Sequence, residues 1–402
     1  MPEELNTAQL ALHGGTPVRG ELLPYGRHEI DDDDVAAVAR ALRSDWLTGG
    51  PAVDAFESAI ARRVSAGHAV AVNSGTAALH AVMFAIDIGP GDEVIVPPIT
   101  FAATANAVVY QGGTPVFADV DADTLLIDPA KAAAAITPRT RAIVGVDYAG
   151  QPCDYDALRS VIGSRPIVLV ADSCHAIGAR DARGRNVGSI ADLSVFSFHP
   201  VKHVATGEGG AVTTDDAEYA QRMRSFRNHG ISADHRERAV QGSWAYEIVE
   251  LGYNYRLSDV QCALGISQLA KLDDRVARRQ AIARAYDRAF ASIPEVRRLA
   301  VNRGVSHAYH LYVVRIDRAH LACDRATMFA ALRSEGIGVN VHYIPVHLHP
   351  FYRQRFGTGA GLCPVAEEAY ESMLTLPLFA SMSPGDVSDV VEAVTKVVAA
   401  FR

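Results

Sequence analysis

Lys202 stands in the stretch SVFSFHPVKHVATGEGGAV, residues 194–212, between His199 and His203, with Val201 before it and Val204 and Ala205 after it. The next acidic residue is Glu208. Surface lysines sit among other solvated charges, so a lysine in this apolar setting is wanted for its amine, the group that forms Schiff bases. Two further stretches supply what such an amine needs. NSGTAALHA places Ser74, Gly75, Thr76 and Ala77 between a strand and a helix, where small residues let backbone N–H groups approach a phosphate closely. VLVADSCHA ends an apolar strand with Asp172, a carboxylate at the sheet edge where α/β proteins bind ligands. Each piece alone has an ordinary explanation: a solvated lysine, a capped helix start, a helix cap. Together with Ser197, five residues before the lysine, they match pyridoxal 5′-phosphate, whose phosphate must be anchored, whose ring nitrogen must stay protonated beside a carboxylate, and whose aldehyde condenses with an amine.

Competing chemistries fit less well. His199, His203, His342, His347 and His349 have no carboxylate or cysteine at a spacing that completes a metal site, so no metal is expected. Cys174 beside His175 has the composition of a thiol nucleophile with its base; as neighbours on a strand they would point to opposite faces, which predicts an inert buried cysteine. GEGG is no nucleotide phosphate loop, since no Gly-Lys-Ser/Thr follows it. It is expected to form a turn that allows close backbone packing.

The elements that position these residues alternate. AVAV precedes TAALHAVMFAI, EVIVPP precedes FAATANAVVYQ, TPVFADV precedes DPAKAAAAI, AIVGVDY precedes DYDALRSVI, and PIVLVADS and LSVFSF follow. Strand and helix in turn, with strands apolar on both faces, predict an α/β fold with a mostly parallel central sheet covered by helices. The large cofactor-binding domain is expected over residues 54–253. A long helical pattern runs from Asp259 to Ala291; then AYHLYVVRI, the helix RATMFAALRSEGI, a strand VNVHYIPV and a helix opened by Ser383, Pro384 and Asp386 predict a linking helix and a smaller α+β domain over residues 254–402. Residues 1–53, with a helix in DDDDVAAVARALRS, are expected to pack with that smaller domain.

The chain has 402 residues and is 49% hydrophobic, enough to fill two or three packed units. Its formal net charge of −8 is spread without a basic block, which argues against nucleic acid as a partner. Five cysteines at irregular spacing fit a reducing compartment. The start MPEELNTAQLALHGGTP carries acidic residues where a secretory signal needs basic ones, and no apolar run approaches membrane-spanning length. A cytoplasmic location with no membrane partner is therefore expected.

At these residues the sequence resembles the sugar nucleotide aminotransferases, fold-type I pyridoxal-phosphate enzymes. The stretches NSGTAALH, PPITFAATANA, ADSCHAIGA, SFHPVKHVATGEGGAV and ELGYNYRLSDVQCALG stand in the family's order, and the likeness extends from ALHGGTPVR to NVHYIPVHLHPFY. Within the family, SFHPVKH, TGEGGA and HYIPVHLHPFY are most similar to the branch that forms UDP-4-amino-4,6-dideoxy-N-acetyl-β-L-altrosamine. The resemblance implies a transaminase that carries an amino group from glutamate to a keto group of a UDP-linked deoxy-keto-sugar for glycan biosynthesis. It implies Lys202 as the Schiff-base lysine and proton carrier, Asp172 at the ring nitrogen, Phe101 stacked on the ring, and His175 beside the cofactor. Gly75, Thr76, Ala77 and Ser197 would bind the phosphate, with Asn254 of GYNYR reaching it across a homodimer interface, so that active sites are shared. The acceptor is expected to meet Tyr25, Arg27, Trp46, Thr48, His342, Tyr343 and His347. Two departures are visible: Asp147 in VDYAGQPCD, where relatives often have histidine, and DSC in place of DAA or DAS. An aminocyclitol aminotransferase, a pyridoxal-phosphate sugar dehydratase and a non-catalytic cofactor-binding regulator are the alternatives. The dehydratase branch has histidine in place of the lysine, and a regulator is expected to carry a DNA-binding segment, which is not visible here.

Overall fold

A computed structural model describes residues 10–233 and 235–402, except for the side chains of His235, Glu237 and Gln241. The first nine residues, on which the reading of the N-terminus as no secretory signal rests in part, lie outside the described residues. The chain opens with α1 (Asp32–Leu42) and α2 (Pro51–Val64) and continues with β1 (His68–Val72), α3 (Gly75–Ala85), β2 (Glu93–Val96), α4 (Ala102–Tyr110), β3 (Thr114–Phe117), α5 (Pro129–Ala135) and β4 (Thr140–Val146). Next come α6 (Tyr155–Ile162), β5 (Val168–Asp172), β6 (Leu193–Ser197), β7 (Gly210–Thr214), α7 (Ala217–Phe226) and α8 (His235–Gln241). Two consecutive helices, α9 (Asp259–Ala270) and α10 (Leu272–Phe290), lead to β8 (Val296–Arg298), β9 (Tyr312–Ile316), α11 (Arg325–Ser334), α12 (Pro350–Phe356), α13 (Pro364–Ser372), β10 (Met373–Leu376) and α14 (Pro384–Phe401).

The large sheet has the order β1-β7-β6-β5-β4-β2-β3. Its pairs from β6 to β3 are parallel, and β7 runs antiparallel to both β6 and β1. The interior strands β2, β4 and β5 are apolar on both faces because helices cover both, and their residues Val94, Ile95, Ile143, Val144, Leu169 and Val170 are fully buried. Consecutive parallel strands all end at the same edge, so residues just beyond β4, β5 and β6 gather there. A second core lies under the antiparallel sheet β10-β9-β8, filled by Ile282, Tyr286, Val314, Leu332, Val394 and Phe401.

The N-terminal segment divides between the two units. Leu10 and Leu23 enter the second core, and the Ala11 amide donates to Glu335 Oε1 at 2.9 Å. Helix α1 instead lies along α9, where the Gln268 side chain donates to Asp34 Oδ2 at 2.6 Å. Two expectations need correction. The long helix is two, parted at Lys271, whose amide turns back to the carbonyls of Gln268 and Leu269. VNVHYIPV is no strand: it holds one isolated bridge, Asn340 to Thr375, and otherwise runs as a loop. Among the described residues no helix is long and apolar enough to cross a membrane.

Candidate active site

The expected cofactor cradle forms at one end of the large sheet. Ser74 caps α3, its hydroxyl accepting from the Ala77 amide at 3.0 Å. The amides of Gly75 and Thr76, in the first turn, have no acceptor within the helix. A side chain at Gly75 would bring its Cβ within 2.9 Å of the Ser197 Cβ, so the glycine is what lets the end of β6 approach the helix start. Behind it, a Cβ on Gly210 would meet the Ser74 carbonyl oxygen at 2.5 Å. GEGG thus does allow close backbone packing, as its composition suggests, and the backbone it admits is that of the cradle.

Asp172, the last residue of β5, is buried. Its Oδ2 accepts from the Thr104 hydroxyl at 2.7 Å, and its Oδ1 accepts from the Cys174 amide at 3.3 Å. Thr104 is a contributor the sequence reading missed. Its only signal is a hydroxyl four residues after Thr100, and the hydroxyls of Thr104 in α4 and of Thr100 just before the helix lie 2.6 Å apart. Lys202 follows β6 in a turn, and its Nζ lies 3.4 Å from His310 Nε2. Burial holds its amine below the ordinary lysine range, partly offset by Cys174 and Asp172. His175 is buried with its Nε2 3.1 Å from the Tyr343 hydroxyl, and burial followed by the charge on Lys202 keeps it well below the usual histidine range.

Asp172, Cys174, His175, Lys202 and His310 line one cavity of about 590 Å³, together with Ser74, Gly75, Thr76, Phe101, Ser197, Tyr25, His342 and Tyr343. Phe101 precedes α4 and is 60% exposed, a large apolar ring presented to open space at the cavity's edge. The cavity offers a helix start with unmatched amides, a buried carboxylate, a buried amine of reduced basicity and an exposed ring. Those four features fit the phosphate, ring nitrogen, aldehyde and ring face of pyridoxal phosphate.

Not every expected residue is there. Ala77 does not line the cavity, and its amide is taken by Ser74. Asn254 lies outside it and is exposed, with its carbonyl accepting from the Asn73 side chain at 3.3 Å. His347 is fully buried against Glu367, 2.9 Å away, too deep to meet a substrate. Arg27 lies over the Phe379 ring, 6.0 Å from its centre, and Trp46 is likewise outside the lining. Thr48 borders a different, arginine-rich cavity of about 1000 Å³. Cys174 and His175 sit in a turn, not on a strand, so alternation does not separate them; Cys174 lines the cavity and is half-buried. Burial first, and then Asp172, push its thiol well above the ordinary range, which leaves it a poor nucleophile. Asp147 is fully buried behind the site, accepting from Ser173, Tyr155 and the Cys153 amide at 2.6, 2.6 and 2.9 Å. Among the described residues no cluster of metal-ligating side chains occurs.

Comparison with known proteins adds an independent finding. The DegT/DnrJ/EryC1/StrS aminotransferase family model matches residues 28–395. Spore coat polysaccharide biosynthesis protein SpsC of Bacillus subtilis is 45% identical over 382 residues, covering 94% of this chain and 98% of SpsC. Among solved structures, Helicobacter pylori PseC, an aminotransferase involved in the biosynthesis of pseudoaminic acid, is 32% identical with a TM-score of 0.88, covering 95% of this chain and 100% of that one. DesI, solved in the presence of its TDP-sugar product, is 35% identical with a TM-score of 0.87, covering 98% of this chain and 97% of that one.

Proposed function

The chain belongs to the DegT/DnrJ/EryC1/StrS aminotransferase family and is a pyridoxal-phosphate-dependent aminotransferase of fold type I; from that premise we propose that it moves an amino group from glutamate to the keto group of a UDP-linked deoxy-keto-sugar. One observation carries the assignment of the site: a single cavity presents Lys202, Asp172 and the start of α3 together. Pyridoxal phosphate supplies, when bound, the electron sink for the pair left behind as a donor carbon loses its proton. This chain's residues do the rest. Gly75, Thr76 and Ser197 would hold the phosphate through amides and a hydroxyl. Asp172, held by the Thr104 hydroxyl, would face the ring nitrogen and favour its protonated form. Lys202 Nζ would hold the cofactor through its aldehyde carbon and, as a free amine, would take the donor's Cα proton and return it to that former aldehyde carbon. Its reduced basicity suits that work, since an amine held permanently as ammonium accepts nothing.

Tyr25, His342 and Tyr343 line the same cavity. His342 Nδ1 is held by the Thr375 hydroxyl at 2.9 Å, and its ring lies 5.2 Å from that of Tyr25. Polar tips on packed rings suit a hydroxyl-rich sugar. The UDP assignment follows the motif resemblance, whereas DesI was solved with a TDP-sugar, so the base is the variable to read. We place the enzyme in the cytoplasm as a homodimer. Val240, Trp244, Ile248 and Leu251 are apolar and each at least 70% exposed, which supports a second copy covering this stretch of chain. The test loads the protein with pyridoxamine phosphate and offers UDP- and TDP-linked keto-sugars and keto-cyclitols, following return of the visible absorption band. The band should return first with a UDP-linked 4-keto-sugar. Faster return with a keto-cyclitol overturns the acceptor assignment, and a borohydride label on a lysine other than Lys202 overturns the site.

A further inference from the structure

Among the described residues, the one hydrogen-bond partner of Lys202 Nζ is a histidine that no sequence motif singled out, His310, at 3.4 Å. Its place is tightly fixed. The guanidinium of Arg279 donates to the carbonyls of Tyr309 and His310, each at 3.2 Å, and the neighbouring Leu311 amide donates to the Ala149 carbonyl at 3.2 Å. The His310 ring lies 4.5 Å from that of His175 and 5.7 Å from that of His203. Burial, and then the charge on Lys202, hold His310 well below the ordinary histidine range, so the ring is neutral.

The titratable groups around the amine set what that neutral ring can do. Asp172 at the end of β5, Cys174 in the turn after it and Arg279 on α10 face the amine, and His175, His203 and His342 complete the surround. A carboxylate in hydrogen-bond contact would pin Lys202 as ammonium; an apolar wall would leave its ammonium without an acceptor. A neutral imidazole does neither. Nε2 accepts from the ammonium when the proton sits on Nδ1, and donates to the free amine in the other tautomer. Either way Nδ1 of His310 has no partner and is buried, so neither tautomer is locked by a second bond.

We propose that His310 is a positioning residue for Lys202, holding Nζ toward the cavity in both of its charge states and raising its proton affinity enough for it to take and return the donor proton. This rests on Lys202 being the lysine that carries the cofactor. It is tested on the apoprotein by the pH dependence of the rate at which it captures pyridoxal phosphate, because only the neutral amine condenses. With the acceptor gone in His310→Phe, the midpoint of that profile should fall by about one pH unit, a tenfold change in proton affinity. His310→Gln, which keeps an acceptor and a donor at similar reach, should stay near the wild-type midpoint. In the holoprotein, the single-turnover rate with glutamate should fall by about tenfold in His310→Phe, at unchanged glutamate affinity, and recover in His310→Gln. Should the phenylalanine variant not fold, His310→Asn, too short to reach Nζ, should show the same lowered midpoint. An unchanged midpoint in whichever of His310→Phe and His310→Asn folds overturns the proposal while leaving the Lys202 assignment intact. Borohydride mapping of the wild-type protein to another lysine removes the premise separately.

Discussion

Val146 pairs with Asp172 across the β4–β5 ladder, so Asp147 and Asp172 are two buried carboxylates at adjoining strand ends, and their partners separate their work. Asp172 faces the cavity with one hydroxyl and one amide donor. Asp147 faces away, and burial pushes its carboxyl up to about 7 despite three donors. The sequence marked Asp147 as a departure from the family's histidine; the structure gives it no place in the lining, and among its donors is the Ser173 hydroxyl, next in sequence to Asp172. Which of two aspartates faces a ligand depends on which side of the sheet edge the chain turns, and that is set by tertiary contacts absent from either motif. Asp172→Asn preserves an oxygen for Thr104 and should therefore retain the cofactor. Its turnover should fall on the order of 10²–10³-fold, the usual loss when one pre-organised electrostatic partner is removed. Cofactor content by absorbance and turnover on the same sample measure the two effects. Turnover near wild type takes Asp172 out of the mechanism.

At the scale of elements, legibility followed local signals. The capping boxes Asp31–Asp34 and Ser383–Asp386 start α1 and α14 where their sequences predict, and the apolar runs of β5 and β6 carry Asp172 and Ser197 to one edge. What failed lacked a local cause. VNVHYIPV alternates like a strand, yet its backbone is claimed elsewhere: the Tyr148 hydroxyl takes the His342 carbonyl, and the Val346 amide reaches the Pro98 carbonyl at 2.9 Å. Helix α2 has no side-chain cap of its own, and distant Asp259 accepts from the amides of Gly50 and Ala52 at 2.8 and 3.0 Å. GYNYR shows the same limit: Tyr253 and Tyr255 pack around His80 at ring distances of 5.0 and 5.9 Å, while Asn254 between them is left exposed, outside its own chain's cavity. The homodimer proposed above assigns that exposed residue to the second copy's cavity. Lys202→Ala and Asn254→Asp chains, each impaired alone, should on refolding together regain about a quarter of wild-type activity, since half the random dimers are mixed and each has one intact site. Mixed dimers without recovered activity would refute sharing.

For the molecule as a whole, buried imidazoles govern the response to acid. Burial is the leading cause that depresses His80 and His342 to about 4 and His307 to about 3, and it also lowers His175, His203 and His310 well below their ordinary value. Each of these six remains neutral in the folded protein at pH values where the unfolded chain binds a proton. The stability they contribute is present above the unfolded value near 6.5 and is lost as pH falls from there toward 4, with a limiting slope of about 1.4 kcal/mol per pH unit for each group. Asp147 works in the opposite sense: raised to about 7, it holds a proton that the unfolded chain releases above about 4, so its linkage favours the folded state as pH falls through 7. One such group cannot balance six, because all slopes have the same limiting size. Denaturant midpoints should therefore be highest at pH 7 or above and drop steeply between 6.5 and 5, corresponding to several kcal/mol over that interval. His80→Gln, which removes one proton-binding site outside the cavity lining, beside its ring partners Tyr110 and Phe226, should make that drop shallower by about one group's slope, even if the variant starts less stable. A midpoint that stays level from pH 7 to 5 would mean that these imidazoles are charged in the folded state, and with them the neutral ring assigned to His310 would have to be abandoned.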